Sequence, residues 1–507
     1  MLRVICLLLF SLLSISSVHW FFCFILGFLL FFLKYNYFFC SGGSILCNNL
    51  FFLDYLSYYF VFLTFIIFIF VYFLELVNFS KLFVLLRGLL FFSLLVLFVT
   101  KTWIYFLVFF EASFIFMFLV VIFWGNNPER IEALNYFIIY SLVGSVPILI
   151  VLIHFFCDFS HFSPFFDYGH TLMRLDGIPT FTYYKCDYKL VKFPDKKGNL
   201  WRTWISIPKD SVFLDNSLII RRSVEWGPDY VDFKEYIFAF GWLLVFLIKF
   251  PIFGLHLWLP KAHVESPVFG SMILAGILIK LRVYGIIRFV WVLIRGFYYW
   301  KMEIPWILKY YACFGLIIVK FICRVQWDLK SFVAYSSVVH MSLIIFSILS
   351  GSFFRVLGAV LMSFSHGICS SSLFMMVKRF YTISLSRRLY LNRGYLYLFP
   401  YLCLFWFLLV SSNCSIPIGL KFFSELFLIF SGVLIKMCNS LVFIFNIFFC
   451  GLYCIFLYLY VSHGKRNKGF KFNFNFVYSY TYLLLCVFHF LVLYLYITVV
   501  KTVSLVL

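Results

Sequence analysis

Lys249-Phe-Pro-Ile-Phe-Gly-Leu-His-Leu-Trp-Leu-Pro260, followed within the next apolar run by Gly276-Ile-Leu-Ile-Lys280-Leu281, decides how this chain is read. A lysine at the centre of a bilayer helix costs roughly 2.5–3.5 kcal/mol on insertion scales, so it seldom sits there without a task. Two of them on successive apolar segments, the first beside the helix-breaking Pro251, point to a chain that handles charge inside a membrane.

The composition agrees. Hydrophobic residues make up 64% and charged residues 12% of the 507, with a mean hydropathy of +1.03, which excludes a soluble globular domain. The 75 Phe residues, whose codons are T-rich, suggest an AT-rich genome such as an organelle's. The net charge of +21 does not describe a nucleic-acid surface. From Asp158 to Glu235, eleven basic and eleven acidic residues cancel, and the excess lies in short connections between apolar runs. There it acts on topology. The 15 Cys are scattered with no C-x-x-C, so no zinc or iron–sulfur framework is expected. There is also no G-x-G-x-x-G, Walker loop or nucleophile elbow, and no cofactor is expected in this chain. Met1 to Leu13 reads as a retained first helix and not as a removable signal.

A hydrocarbon core about 30 Å thick needs roughly 20 apolar residues per helix. That rule predicts an all-α polytopic membrane protein of about fourteen crossings, at 2–17, 18–34, 51–76, 82–99, 102–124 and 133–156, then 236–258, 267–294, 304–323, 330–350, 353–377, 396–434, 439–461 and 477–500. The chain thus divides into membrane blocks 1–156, 236–434 and 435–507 around an extramembrane insert, 157–235. Within the insert, Tyr183–Phe193 and Leu200–Pro208 alternate around a polar turn, which predicts a β-hairpin. Its three tryptophans suit a packed lid or a partner surface. Loops after odd-numbered spans hold fourteen Lys and Arg against nine on the other side, which puts the first group on the cytoplasm- or matrix-like face. Two crossings are interrupted, the seventh at Pro251 and the twelfth at Pro417 after Ser411-Ser-Asn-Cys-Ser415. Each break has an ionisable neighbour, Lys249 and Glu425, and five spans separate them, as two inverted five-helix repeats require.

Four ionisable residues lie at depth. Glu111 is about 14 Å into the fifth span, and Lys249 and Lys280 are about 20 Å into theirs, at 1.5 Å per residue. Burial disfavours the charged form of each, so Glu111 takes up a proton unless a lysine from another helix approaches, and a buried lysine becomes a reversible proton carrier. Glu425, the fourth, has Lys421 one turn before it, a spacing that predicts a local pair. His340 and His366, each flanked by serines, suit a hydrated proton path. The plain alternative for all of these is a structural ion pair or a side chain snorkelling to the headgroups, and it is the preferred reading for Lys421, Arg282 and Lys378. His256 and His263 flank the Trp258–Pro260 corner as loop caps.

Four motifs carry a family resemblance: Trp124-Gly-Asn-Asn-Pro-Glu-Arg130, Tyr140-Ser-Leu-Val-Gly-Ser-Val-Pro147, Gly254-Leu-His-Leu-Trp-Leu-Pro-Lys-Ala-His-Val-Glu-Ser-Pro267 and Asp328-Leu-Lys-Ser-Phe-Val-Ala-Tyr-Ser-Ser337. Together they closely resemble the chain 4 family of NADH:ubiquinone oxidoreductases, the mitochondrially encoded, antiporter-like subunits of respiratory complex I. The match runs in order from about Asp54 to Glu425, the insert excepted. The resemblance implies fourteen helices with two inverted repeats, and proton translocation across the mitochondrial inner membrane driven by electron transfer elsewhere. FMN, iron–sulfur clusters and ubiquinone would then sit on other subunits. The implied partners are neighbouring antiporter-like chains and other complex I membrane subunits, accessory subunits on the insert, and the lipid bilayer, with no nucleic acid. Glu111, Lys249, Lys280, His340, His366 and Glu425 match the family's relay positions in turn. Three features depart from the family: the long insert, Arg282 for a small residue, and Lys421 where a polar neutral residue is usual. A sodium/proton antiporter subunit and a proton-inert scaffold are the rival readings.

Overall fold

In the computed structural model the described residues are 45–46, 52–53, 55–74, 80–100, 103–125, 129–158, 188–194, 200–206, 241, 243–288, 304–349, 354–417, 419–433, 439–465 and 480–495. The spans expected at 2–17 and 18–34 lie outside them. So does most of the insert.

The principal helices are α1 (Tyr55–Leu74), α2 (Lys81–Val99), α3 (Trp103–Trp124), α4 (Arg130–Asp158), α5 (Trp258–Glu265), α6 (Val268–Arg288), α7 (Ile304–Val325), α8 (Leu329–Ile348), α9 (Phe354–Ser384), α10 (Pro400–Asn413), α11 (Leu420–Val433), α12 (Asn439–Ser462) and α13 (Tyr480–Leu495). A further helical stretch, 243–249, leads to the Pro251 break. Seven helices among the described residues are long and apolar enough to cross a membrane, within α1, α2, α3, α6, α8, α9 and α12. The chain is therefore a multi-pass, predominantly helical membrane protein. Strands are few: Ile45–Leu46 pairs with Phe52–Leu53, and Tyr188–Pro194 pairs antiparallel with Leu200–Ser206, where the alternation placed a hairpin.

The helices form because apolar side chains predominate along them, and hydrocarbon leaves a backbone no option but internal hydrogen bonds. Ser80 starts α2, its hydroxyl accepting from the Phe83 N–H. The 31-residue α9 is the axis of the bundle. It touches α1, α6, α8, α10, α11 and α13, and the apolar 18-residue window within it, like that within α6, is fully buried. By contrast α3 and α12 expose Val108, Ile115, Ile444 and Phe448, a surface suited to lipid tails. Lys280, His340 and His366 therefore sit on the most enclosed helices, whereas Glu111 lies on the more exposed α3.

Both predicted interruptions are present. After 243–249 the chain turns through Phe250–Leu257 before α5 begins, because Pro251 has no N–H to continue the ladder. Gly254 takes φ +85° there, and a Cβ on it would lie 2.7 Å from the Tyr311 hydroxyl. That hydroxyl donates to the Phe253 carbonyl at 2.8 Å, so α7 satisfies a group the break releases. The second break separates α10 from α11, with Ser415 in the left-handed region at φ +62°.

α6 and α9 cross backbone to backbone at two glycines, Gly276 and Gly367. A Cβ on Gly367 would lie 2.9 Å from the Gly276 carbonyl oxygen, a group that cannot swing aside. Overpacking of this kind costs about 1–3 kcal/mol. Gly367→Ala is therefore expected to lower the midpoint of thermal unfolding in detergent. An unchanged midpoint would mean that the two helices part without penalty.

Candidate functional site

The first centre joins α3, α4 and the helical stretch before the Pro251 break. The Lys249 ammonium and the Glu111 carboxylate form an ion pair, with the lysine almost fully buried and Glu111 27% exposed. The expected lysine from another helix is thus Lys249 itself. Its nitrogen also lies over two rings of α3, 4.3 Å from the Phe110 centroid and 4.8 Å from that of Phe114. Gly144 of α4 makes room for its stem, since a Cβ there would approach the Lys249 Cγ and Cε at 3.2 Å. Arg282 does not snorkel. It is 1% exposed, with its guanidinium 4.6 Å from the Trp258 ring and 5.5 Å from Phe114. Among the described residues its Nε and Nη1 have no hydrogen-bond partner.

The middle centre is Lys280. Residues Leu274–Leu278 of α6 form a π-helical turn, which releases carbonyls from the regular ladder, and the Lys280 ammonium donates to that of Ala275. Across the glycine crossing on α9 lies His366, buried, with neither ring nitrogen partnered among the described residues. Its ring centroid is 5.1 Å from that of His340 on α8. The serines that flank these histidines give their protons to their own helices. Ser336, Ser337, Ser363 and Ser365 each donate to the carbonyl three residues back, so they do not line a path by donating into it.

The third centre lies at the second break. His340 Nε2 is 2.9 Å from the Lys421 ammonium and 3.2 Å from the Tyr453 hydroxyl, and Nδ1 is 3.4 Å from Glu425 Oε1. Lys421 also donates to the Asn413 carbonyl at 2.6 Å and to its side-chain oxygen at 2.7 Å. The predicted Lys421–Glu425 pair is replaced by this arrangement. Lys421 turns to the open end of α10, whose last carbonyls carry the negative end of the helix dipole. It is 2% exposed, so the snorkelling reading fails here also. Lys378, by contrast, is part-exposed. His263 is no loop cap either: it is buried in α5 and stacked on Phe374 at 4.7 Å. Among the described residues no group of three His, Cys, Asp or Glu side chains could hold a metal ion.

This geometry has relatives. The family model described as NADH:quinone oxidoreductase/Mrp antiporter, transmembrane, matches residues 100–168 and 216–451. The chain belongs to this family. It is 34% identical to NADH-ubiquinone oxidoreductase chain 4 of Locusta migratoria over 71% of this chain and 66% of that one. It is 33% identical to chain 4 of Artemia franciscana over 75% of this chain and 81% of that one. The chain thus spans about two thirds of the locust protein. A structure of respiratory complex I from Thermus thermophilus with bound NADH shares the fold, with a TM-score of 0.70 over 98% of this chain and 94% of that chain, at 19% identity.

Within this NADH:quinone oxidoreductase/Mrp antiporter chain, sequence reasoning missed three polar residues. Lys320 of α7 is buried and donates to the carbonyl and side-chain oxygens of Asn446 on α12. The rule that singled out Lys249, an ionisable residue deep in an apolar run, applies equally to it. Tyr453 carried no such signal, because 34 tyrosines hide one hydrogen-bonded hydroxyl. Asn413 was visible only as part of the polar run before Pro417. At the bundle's end, Lys330 and Arg387 both donate to the Val264 carbonyl and so pin α5. Beside them an open cavity of about 180 Å³ is lined by Glu129, Glu132, Lys261, Glu265 and Tyr335. Here Lys261 donates to Glu132 at 2.6 Å, and that bond holds its ammonium above the ordinary lysine range.

Breaking a buried ion pair from one side typically costs about 3–5 kcal/mol, and a loss of that order is expected for Lys249→Met, which leaves Glu111 without its partner inside the bundle. The double variant Lys249→Met/Glu111→Gln should recover most of that loss in thermal unfolding. A double variant no more stable than the single one would contradict a pair buried at that cost.

Proposed function

We propose that this chain is a proton-translocating, antiporter-like membrane subunit of respiratory complex I, set in the mitochondrial inner membrane. The reading is carried by one observation: a buried Glu111–Lys249 pair at one broken helix and a His340–Glu425 contact at the other. Glu111 modulates the charge of Lys249. The proton released from Lys249 passes by way of Lys280, His340 and His366 to Glu425, and leaves from there. A lysine freed of its carboxylate partner in a low-dielectric site gives up its proton readily, and a histidine can relay one through its two nitrogens. Electron transfer from NADH to ubiquinone, on subunits that hold FMN and iron–sulfur clusters, would supply the driving force.

The same reading places the chain in a fourteen-helix fold of two inverted five-helix repeats, each contributing one interrupted helix. Neighbouring antiporter-like subunits and other membrane subunits would flank it, and accessory subunits would meet the 157–235 insert. A sodium/proton antiporter subunit is the second reading, favoured by the breadth of the family description. The chain 4 relatives weigh towards the first.

Lys249→Ala in the assembled complex is expected to abolish coupled proton pumping while NADH oxidation by a hydrophilic acceptor at the flavin continues. A native proton-to-electron ratio in that variant would sink the assignment. Co-purification of the chain with flavin and iron–sulfur subunits separates complex I from the antiporter alternative.

A further inference from the structure

We propose that Lys421 is an additional proton-carrying residue, which with His340 and Glu425 forms a three-member wire across the second broken helix. The proposal rests on the relay reading above and extends it to a residue the family resemblance does not supply. Lys421 stands where that family usually has a polar neutral residue.

An ammonium has three protons, and the structure accounts for all of them. One goes to the Asn413 carbonyl, one to its side-chain oxygen, and one to His340 Nε2. Capping the end of α10 needs only the first two. The third contact has a chemical consequence. A charged lysine can only donate, so Nε2 must be the accepting nitrogen and the ring proton must sit on Nδ1. Nδ1 is the nitrogen that faces Glu425 Oε1, at 3.4 Å, slightly beyond ordinary hydrogen-bond reach. Lys421 therefore fixes the tautomer of His340 and points its proton at the carboxylate.

The transfer step is balanced. As Glu425 closes on Nδ1, an N–H bond of Lys421 breaks while one forms at Nε2, and the Nδ1–H bond breaks while an O–H bond forms at Glu425. An ammonium and a carboxylate become an amine and a carboxylic acid, with the imidazole neutral before and after. The His340 side chain then reorients about both of its torsions so that the protonated Nε2 faces Glu425 and Nδ1 faces Lys421, Glu425 releases its proton to the far side, and Lys421 is recharged from the side of Lys280. Tyr453, at 3.2 Å from Nε2 and 3.1 Å from Cys450 Sγ, steadies the ring from α12 before the transfer. The Lys421 site is closed by Cys369, which contacts Ser412 at 3.3 Å beside Asn413.

Arginine separates this role from a structural one, because it keeps the charge and the donors but does not release a proton. In purified complex reconstituted into vesicles, Lys421→Arg is expected to assemble, to keep NADH oxidation by a hydrophilic acceptor, and to pump at the reduced proton-to-electron ratio of Glu425→Gln. Lys421→Asn should show the same reduced ratio. A native ratio in Lys421→Arg would overturn the proposal and leave Lys421 a cap. Lys249→Ala is measured alongside: if it too pumps at the native ratio, the relay reading has failed, whereas its loss beside a native Lys421→Arg defeats only the present proposal. A measurement on the unsubstituted complex stands independent of the Lys421 variants. The infrared carbonyl band of protonated Glu425, assigned by its loss in Glu425→Gln, should rise together with a change of the His340 tautomer from Nδ1–H to Nε2–H. Protonation of Glu425 with the tautomer unchanged would overturn the wire.

Discussion

Hydrocarbon supplies no hydrogen bonds, so each backbone group that leaves the helical ladder inside this bundle must be met by a side chain. Three irregularities test that constraint, and each is met from within the protein. The Pro251 break gives its Phe253 carbonyl to the Tyr311 hydroxyl, the π turn of α6 gives its Ala275 carbonyl to Lys280, and the open end of α10 gives its Asn413 carbonyl to Lys421. In two of the three the partner is a lysine. The exchange is mutual, since a carbonyl dipole stabilises the ammonium that the bilayer would otherwise reject. Irregular backbone and buried charge are therefore one interaction, and these buried lysines collect where the helices depart from regular geometry.

Aromatic rings do the remaining work of holding charge. Lys249 rests on Phe110 and Phe114, Arg282 on Trp258 and Phe114, and Lys309 on Phe346. Such contacts are worth more when water is excluded. The abundance of phenylalanine, which at first reads as a bias of the coding sequence, thus has a physical use. It gives buried cations a polarisable wall that, unlike a carboxylate, does not bind their protons.

The helical fold and the two breaks were legible in the sequence because they rest on local properties, apolar run length and proline chemistry. The pairing of Glu111 with a lysine was legible for a different reason: an unpaired charge at that depth is too costly to leave alone. What escaped was direction. Lys421 and Glu425 are spaced as a helical pair, yet Lys421 turns back across the break to Asn413, and no periodicity encodes where a broken helix points its ends. Arg282 next to Lys280 looked like a residue near a helix end because its cover, Trp258, comes from another element. The serines beside the histidines looked like a wet path, and they bond their own helix because that carbonyl is always within reach.

The π turn at Leu274–Leu278 has one more effect, on angle. A helix advances about 100° with each residue, and a π turn absorbs one residue without passing its full rotation on to the residues beyond it. Lys280, two positions past the turn, owes its bearing to that extra residue. Rewinding 274–278 into regular α geometry with all its residues kept would swing the lysine by about 100°, with every side chain of the helix unchanged in identity. The turn is the indexing pin of α6. The winding of this segment, more than the identity of any one apolar side chain in it, sets where Lys280 faces.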